Sequence, residues 1–588
     1  MYEVRMGWLS TRSDGGDFAS LNARTGQKRS DLSINPIAGG RCRALGHEKR
    51  KIKNALPGVD AEPRLRKQCG RIRRCWALST ITQVSELQAP EIRSGGLTLE
   101  EHSNSRFPVA SRDAPPAYTS LDTFELPKGA DRHYVQQYAD MYYLRLVQLK
   151  PAVEKNAAEQ WNGYTIGGEK ARQVERVLDV RQGELCWVVG TVFMEMPLKP
   201  RVLDDISKEH WISAPPPREK YISPDGGRQV MLEDESGRLR LAGRCLENAL
   251  LVTGAIIAAI GTETSDGVFD VLEIKVADLP RQPERWELED SASAVAGTVE
   301  SRDNHKGSKI ALVSGLQISG DYSDALQLDL LADALTGQLG NSEFQADMAG
   351  VSRLIIAGDS LANACPIPSR EELAATKKDS GKKYGYDSAS YNAAPTSNLD
   401  DFLESILPTI AITLLPGQTD PANVQIPQQP MHAALFPQAR LYAKSPAHQG
   451  AVNEAPSLFD PVTNPWEGEV EGWRFLGNGG QPVSDVFKYV ESDDRLDMME
   501  SMLRWRCNAP TAPDTLWCYP FQDDDPLLIK ECPHVYFAGN QPSYGTRVIE
   551  GPAGQLVRLI AVPKFKDTGS VVVIDSETLE VKELKVEI

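Results

Sequence analysis

The sequence predicts a protein of mixed α and β structure, in which a small β-barrel is joined to a larger α/β sandwich. Three observations predict this fold class. Short strand-like runs separated by turns lie near the middle of the chain, strands and helices alternate after residue 307, and glycine-rich loops follow several of those later strands. The 588 residues, 41% hydrophobic and 25% charged, have ordinary globular composition and suffice for two to four domains.

Charge is distributed unevenly along the chain. Residues 1–105 hold 18 Lys and Arg against 11 Asp and Glu, so the formal total of −17 leaves −24 on residues 106–588. Residues 1–105 also lack periodicity and contain basic runs such as Lys49–Lys53, which predict a disordered basic extension and suit a nuclear-localisation patch. The acidic remainder is a poor stand-alone binder of nucleic acid, so we expect DNA to be contacted only indirectly.

Other composition features point to the interior of a cell. No run of 18 apolar residues is present, and the N-terminus lacks the basic and apolar regions of a secretory signal. The nine cysteines include no Cys-x-x-Cys pair, which predicts reduced core cysteines rather than zinc ligands. We therefore expect no membrane contact.

Residues 106–173 are predicted to form an N-terminal helical segment. Apolar and aromatic side chains recur from Arg132 to Leu149, and Pro151 is expected to end this helix. The aromatic positions, among them Tyr134, Tyr138 and Tyr142, are expected in the core rather than on a stacking surface.

Residues 174–285 are predicted to form a barrel of the OB type, because its strand-like runs have suitable length and spacing. These runs are Leu185–Met194, the two arms of a hairpin over Val230–Leu241, Leu251–Gly261 and Phe269–Val276. Few aromatic residues beyond Trp187 and Phe193 lie on them, and Glu233–Glu235 makes the hairpin acidic. This pattern favours a protein-binding barrel, with single-stranded nucleic acid as the alternative ligand.

Residues 286–306 are a polar linker, and residues 307–588 are predicted to form the α/β sandwich. Two stretches, residues 376–395 and 444–465, are predicted as inserted surface loops. Asn398 is expected to cap one helix. The predicted strands are Lys309–Ser314, Leu354–Ala357, Thr409–Leu415, Trp473–Leu476, Val535–Ala538, Val557–Val562, Ser570–Asp575 and an edge strand Val581–Val586; the predicted helices are Asp324–Thr336, Asn398–Leu407 and Ser492–Trp505.

Four strand ends of the sandwich resemble the ligand loops of a two-metal phosphoesterase. In such an enzyme they read about D-x-H, G-D-x-x-D, G-N-H-D and G-H-x-H, because two cations about 3.5–4 Å apart need carboxylate and imidazole ligands. The corresponding positions here are Ser314, Leu316, Asp359, Ala362, Gln418, Thr419, Asn540 and Pro542. In the third loop, Thr419 is followed by the acidic residue Asp420.

These residues predict that the metals and the catalysis are lost. Leucine and alanine cannot bind a metal ion, and neutral oxygen ligands leave the charge of two divalent cations uncompensated. The eight histidines are expected in structural or exposed places, and no G-x-S-x-G, H-E-x-x-H or P-loop motif is present. We expect no catalytic residue, no metal and no cofactor. The alternative is a metal-dependent phosphodiesterase or nuclease that uses Asp359, Asp420 and Asn540.

Several longer runs resemble the B-subunit family of replicative DNA polymerases, and within it the delta branch. The resemblance covers the chain from about Arg106 to the C-terminus. It is carried by Leu312–Leu316, Leu415–Gly417, Ile426–His432, Phe475–Gly477, Gln481–Asp485, Ala509–Leu516 and Glu531–Asn540, and in the barrel by Val188–Thr191 and Leu232–Glu235.

The resemblance implies an OB fold joined to a calcineurin-like phosphoesterase domain that has lost its activity. It implies a nuclear scaffold in DNA replication and repair that binds the C-terminal cysteine-rich region of the polymerase catalytic subunit and a third accessory subunit. Members of the delta branch also serve the translesion polymerase zeta. The basic extension and the inserted loops are not typical of the family, and no individual partner-binding residue follows from the resemblance.

Overall fold

The computed structural model describes residue 112 and residues 117–586, apart from residues 130–131, 136, 201–217, 224–225, 286, 289–307, 321–324, 363–392 and 444–456. The predicted basic extension, nearly all of the linker and most of the two inserted loops therefore lie outside the described residues. Of the helices in the described ranges, none is both long enough and apolar enough to cross a membrane.

The N-terminal elements precede the barrel. They are strand β1 (Tyr118–Ser120), helix α1 (Tyr138–Trp161), a small hairpin of β2 (Thr165–Ile166) and β3 (Glu169–Lys170), and strand β4 (Arg172–Gln173), with single 3₁₀ turns at Asp122–Phe124 and Val177–Asp179.

Helix α1 differs from the prediction at both ends. It begins at Tyr138, and it continues through Pro151, which removes one backbone hydrogen bond at a typical cost of about 3 kcal/mol. Burial explains why the helix continues, because both halves pack on the barrel through Leu146, Leu149, Val153, Ala157 and Trp161. Tyr134 lies before the helix and is 52% exposed, so its predicted core position is wrong.

Five strands close into the predicted barrel. They are β5 (Leu185–Glu195), β6 (Gln229–Glu233), β7 (Arg238–Ala242), β8 (Ile256–Glu263) and β9 (Val268–Lys275), and the short helix α2 (Cys245–Asn248) lies between β7 and β8. Hydrogen bonding runs β5–β6–β7–β9–β8 and returns from β8 to β5. The fourth strand starts at Ile256 rather than at the predicted Leu251. Alternating residues such as Val192, Leu232 and Phe269 fill the interior.

The second part of the chain contains eleven further strands and six helices within the described residues. In chain order these are β10 (Lys309–Val313), α3 (Ala325–Leu335), α4 (Ser342–Ala349), β11 (Val351–Ala357), α5 (Ala394–Ile406), β12 (Ala411–Leu415), β13 (Phe459–Pro461), β14 (Trp466–Val470), β15 (Trp473–Asn478), α6 (Gln481–Tyr489), α7 (Arg495–Arg504), β16 (Val535–Gln541), β17 (Gly545–Glu550), β18 (Leu556–Pro563), α8 (Phe565–Thr568), β19 (Ser570–Asp575) and β20 (Val581–Lys585); 3₁₀ turns span Ala433–Leu435 and Ala439–Tyr442.

Together with β1, these eleven strands form two stacked six-stranded sheets. The first sheet has the order β13-β12-β11-β10-β19-β20, and the second has the order β1-β14-β15-β16-β18-β17. Ile310, Leu312 and Ile355 of the first sheet pack against Trp466, Phe475 and Phe537 of the second. Helices α3–α5 cover the outer face of the first sheet, and α6 and α7 cover that of the second. The predicted sandwich and its edge strand β20 are thus confirmed.

Some elements of the sandwich differ from the prediction. Asn398 is not a cap, because α5 starts at Ala394 with Pro395 in its first turn, and the Asn398 amide donates to the carbonyl of Ser319 instead. The sequence pattern also missed α4, α6, β14 and β17, and strand β13 (Phe459–Pro461) lies within residues 444–465, where the sequence predicted a surface loop. Strand β14 is only five residues long and includes Gly468, and β17 is only six residues long and includes few buried residues, so both runs were too short or too polar to recognise.

The barrel and the sandwich share one hydrophobic core. Barrel residues such as Val192 and Phe269 belong to the same buried cluster as Met499 of α7 and Tyr536 of β16. Because this cluster is continuous, the two parts hold each other in a fixed arrangement.

Candidate functional site

The predicted ligand positions come together at one edge of the sandwich. Strands β10, β11 and β12 run parallel, as do β15, β16 and β18 in the second sheet, so their carboxyl ends meet. Ser314 follows β10, Asp359 follows β11 and Asn540 lies near the end of β16. This edge is where ligands bind in many sheet proteins with parallel strands.

Backbone atoms fill the space between these strand ends. Gly358 has a φ of +82°, and a Cβ atom placed on it would lie 3.1 Å from the Cα atoms of both Gly417 and Gly479. A Cβ atom on Gly539 would lie 2.1 Å from the carbonyl oxygen of Ala357. The loops thus pack backbone against backbone.

Ser314 connects three strands. Its hydroxyl donates to the carbonyl of Pro563, at 3.0 Å, and accepts from the backbone N–H of Asn540, at 2.9 Å. The side chain is fully buried. Two residues later, Leu316 packs into the core beneath the first sheet. Both residues at the first strand end are therefore part of the packed structure.

The two remaining carboxylates accept hydrogen bonds from the backbone. Asp420 accepts from the N–H groups of Ser360, Leu361 and Gly417, at 3.2, 2.8 and 2.8 Å. Burial raises the pKa of Asp420 to about 7, and the three N–H donors oppose this rise while neighbouring Asp359 adds to it. Asp359 itself has a φ of +53° and accepts from the N–H of Thr419. Each carboxylate thus fixes a turn.

The other predicted positions offer little to a metal ion. Gln418 and Pro542 are exposed, and Ala362 is half-buried beside the bridge between Ile318 and Leu361. Asn540 has its backbone in the left-handed region and donates its amide to the carbonyl of Gly479, at 2.9 Å. The structure therefore brings Ser314, Asp359 and Asn540 to one edge and turns Gln418 and Pro542 outward.

A network of neutral amides crosses this edge, and the sequence reasoning missed it. The Asn464 amide donates to the Gln428 and Gln481 side chains, at 2.8 and 3.0 Å, and its oxygen accepts from the N–H of Gly479. The Gln428 amide donates in turn to the carbonyl of Gly417. Only the clustering of Asn and Gln at the ends of strand-like runs could have indicated this network.

The two histidines of the sandwich that the structure describes have structural surroundings. His432 is exposed, and its Nδ1 accepts from the N–H of Ala434. His534 is buried, and its Nδ1 accepts from the N–H of Arg474. Burial lowers the pKa of His534 to about 4, so this imidazole is neutral at pH 7.

The described residues at this edge supply few charged groups. In the described part of the chain no group of three or more His, Cys, Asp or Glu side chains is placed to hold a metal ion. Among the described residues of these strand ends, the buried side-chain oxygens without a hydrogen-bond partner belong to Ser360, Thr419, Asn540 and Gln541, and all four are neutral. These groups differ from the carboxylate and imidazole ligands that hold the two cations of a two-metal phosphoesterase.

The barrel surface differs from the prediction at the hairpin. Glu233 and Asp234 are buried, and Asp234 caps local turns by accepting from the N–H groups of Val177, Ser236 and Gly237. Of the three acidic residues, only Glu235 is exposed.

The barrel aromatics named from the sequence are not open stacking surfaces. Trp187 is buried against Trp161 of α1. Two cations lie near the Phe193 ring, with the Arg238 guanidinium 4.7 Å and the Lys199 ammonium 4.8 Å from the ring centre.

Comparison with known proteins gives two family matches. A family described as the DNA polymerase delta subunit OB-fold domain matches residues 137–274, and a family described as the B subunit of DNA polymerase alpha/epsilon matches residues 310–546. The first match covers all five barrel strands except the last residue of β9, Lys275. The second match covers the strand ends after β10, β11, β12 and β16.

Three curated relatives extend this similarity over most of the chain. The DNA polymerase delta small subunit of Arabidopsis thaliana is 38% identical over 79% of this chain and 94% of its own length. That of Saccharomyces cerevisiae is 34% identical over 78% and 91%. DNA polymerase delta subunit 2 of Drosophila melanogaster is 33% identical over 79% and 96%.

Proposed function

This chain belongs to the family of DNA polymerase delta small subunits, with an accessory role in replication, and we propose that it acts there as a non-catalytic scaffold. In this proposal it binds the C-terminal cysteine-rich region of the catalytic subunit and docks the third accessory subunit of the holoenzyme. In this proposal the protein is located in the nucleus and also takes part in DNA repair. It also serves as a subunit of polymerase zeta. DNA is contacted through the partners.

The observation that carries the non-catalytic role is the packing of the strand ends. Where a two-metal enzyme needs open space and charged ligands, Gly358 and Gly417 pack backbone against backbone, and neutral amides from Gln428 and Asn464 connect the loops. A side chain that is used to hold loops together is not available to bind a metal ion. This packing supports a stable docking body.

The fold supports the same proposal at a larger scale. We propose that the two-sheet part is a calcineurin-like phosphoesterase fold without its metals. We also propose the domain boundaries predicted from the sequence, with the barrel in residues 174–285 and this fold in residues 307–588. The continuous core shared with the barrel keeps the two parts in one arrangement. This chain then loses little conformational freedom when a partner contacts both parts.

Co-expression tests the scaffold role. The full chain is produced together with the polymerase delta catalytic subunit and the third subunit, and the complex is isolated through a tag on the catalytic subunit. We expect all three chains in equal amounts. A catalytic subunit that purifies without this chain would contradict the proposal.

Hydrolysis assays test the absence of catalysis. The purified chain is incubated with Mn²⁺ and bis-p-nitrophenyl phosphate or single-stranded DNA, beside an Asp359→Ala variant. We expect both proteins to show the same background rate and no bound Mn or Zn at stoichiometric level. A metal-dependent rate that disappears in Asp359→Ala would instead support the phosphodiesterase or nuclease alternative.

A further inference from the structure

The strand β1 lies at an edge of the second sheet and belongs to a short segment, residues 117–126, that we call the strap. In the described part of the chain, β1 pairs with β14 alone, and this pairing covers three residues. Of the described residues 127–137 that follow the strap, all but Arg132 are exposed. The strap is therefore attached to the core through its own contacts, and the chain that follows it adds little.

Two backbone hydrogen bonds close the pairing of β1 with β14 at its two ends. The N–H of Leu121 donates to the carbonyl of Glu467, at 3.0 Å, and the N–H of Glu471 donates to the carbonyl of Ala117, at 2.9 Å. These four residues are exposed or half-buried. Because water can compete for such groups, these bonds are among those that open at a low free-energy cost.

The other end of the strap is anchored in the core. Phe124 and Leu126, each 3% exposed, belong to the cluster that the barrel and the sandwich share. The side-chain oxygen of Gln429 accepts from the N–H of Leu126, at 3.1 Å, and its amide donates to the carbonyl of Phe124, at 3.2 Å. This end is fixed, so any opening of the strap concerns the part that contains β1.

Tyr118 reaches from β1 to the opposite sheet. Its hydroxyl donates to Asp460 of β13, at 2.5 Å, and accepts from the Thr413 hydroxyl of β12, at 3.4 Å. Its ring lies over the guanidinium of Arg353 of β11, 3.5 Å from the ring centre. One side chain of the strap thus contacts three strands of the first sheet.

The arginine beneath this ring depends on neutral groups. Arg353 is completely buried, and within the described part of the chain it forms no ion pair with a carboxylate. It donates to the Thr413 hydroxyl, at 2.8 Å, while its Nε has no hydrogen-bond partner. A buried cation is costly unless other groups compensate it, and the face of an aromatic ring does so. The Tyr118 ring is therefore a main source of this compensation.

We propose that β1 opens from β14 and closes again as a unit, with the strap turning near Phe124, and that Tyr118 is the side chain that locks it closed. Closure covers the Arg353 guanidinium, and opening uncovers this cation together with the edge of β14. This inference concerns a movement within the chain and is independent of the proposed scaffold function.

Hydrogen exchange of the full chain tests the movement. The N–H groups of Leu121 and Glu471 connect the strap with β14, so their exchange reports opening, whereas the N–H groups of β16 report unfolding of the core. In the unaltered chain we expect the first two to exchange at least roughly tenfold faster than those of β16. Equal rates would mean that the strap separates only when the whole protein unfolds, and would overturn the inference.

Tyr118→Phe tests the lock, because it removes the hydroxyl and keeps the ring over Arg353. Exchange at Leu121 and Glu471 should become about tenfold to a hundredfold faster, with β16 unchanged. Tyr164→Phe is the matched control, since Tyr164 is 43% exposed and its hydroxyl has no hydrogen-bond partner among the described residues, so both rates should stay the same. An unchanged strap rate in Tyr118→Phe, or an equal acceleration in β16, would show that Tyr118 is not the lock.

Discussion

At the scale of single residues, the positions that would bind metals in a phosphoesterase have structural roles. Ser314 connects β10 with β16 and β18, and Asp420 holds the turns after β11 and β12 by accepting three N–H groups. Leu316 lies in the core. These polar residues have hydrogen-bond partners because a buried polar group without a partner costs free energy.

Asp420 makes the stability of the protein depend on pH. Its pKa is about 7 in the folded protein and about 3.9 in an unfolded chain, so the folded state binds more protons between these values. The free energy of unfolding contributed by Asp420 is therefore fully present below about pH 4 and is lost as pH rises through about 7, by up to about 4 kcal/mol.

Urea unfolding of the unaltered chain and of Asp420→Asn between pH 4.5 and 8 measures this contribution. Other groups titrate in both proteins, so the difference in unfolding free energy reports on Asp420. We expect the advantage of the unaltered chain to shrink as pH rises. An advantage that instead grows with pH would mean that the three N–H donors outweigh burial and keep this carboxylate ionised.

Gly358 tests the close packing of the strand ends. Gly358→Ala should lower the free energy of unfolding by about 3 kcal/mol or more, because its φ of +82° disfavours a side chain and the added Cβ meets two neighbouring backbones. Gly554 is a matched control with a φ of +84° and open space around it, so Gly554→Ala should cost only about 1 kcal/mol. Equal losses in chemical denaturation would mean that the loops can separate.

At the scale of elements, tertiary burial decides where helix α1 ends. Its buried residues follow one face from Met141 to Trp161, and this face covers the barrel on both sides of Pro151. A helix that buries so much apolar surface can tolerate one missing backbone hydrogen bond. Strand β1 is held similarly from outside its own sheet, because the Arg353 guanidinium lies 3.5 Å from the ring centre of Tyr118.

Pro151→Ala should therefore stabilise the protein. The change restores a backbone N–H that can donate within the helix, and Pro151 is exposed, so no core contact is lost. Proline also lowers the conformational entropy of the unfolded chain, and this stabilising effect is lost in the variant. The net free energy of unfolding should therefore rise by about 1–2 kcal/mol. Lys155→Ala, an exposed change on the same helix, should shift it by less than about 0.5 kcal/mol. A loss of stability in Pro151→Ala would show that the helix needs the proline.

At the scale of the whole molecule, a buried ion pair connects α1 to the sandwich. The Arg145 guanidinium donates to Asp525, at 2.6 Å, and to the carbonyl of Ala512, at 2.5 Å, and both charged side chains are almost completely buried. Burial opposes the charge of Arg145, yet Asp525 raises its pKa above the ordinary value. The pair thus fixes the helix that covers the barrel to a loop of the sandwich.

Arg145→Met should destabilise the barrel and the sandwich together. The change leaves Asp525 as a buried charge without its cation, which typically costs about 3–5 kcal/mol. Arg176→Met breaks an exposed pair with Asp179 and should cost less than about 1 kcal/mol. Hydrogen exchange should show faster exchange in both β5 and β16 for Arg145→Met. Faster exchange confined to one of them would show that the two parts unfold separately.

The sequence by itself determined the class of the fold, most strands, and which residue types stand at the strand ends. These features are local, because hydrophobic periodicity and residue type record whether a strand is buried and whether a side chain can bind a metal ion. The short strands β14 and β17, which contain charged residues, were not recognised from hydrophobic periodicity.

Only the tertiary structure decided how those parts are used. It extended α1 through Pro151, buried Glu233 and Asp234 of the hairpin, exposed Tyr134 and Trp517, and assembled the Gln428, Asn464 and Gln481 network. Each of these outcomes depends on residues far apart in the chain, whose contacts outweigh local preference. The physical reason is that burial and hydrogen-bond pairing are settled by neighbours in space, which no local pattern records.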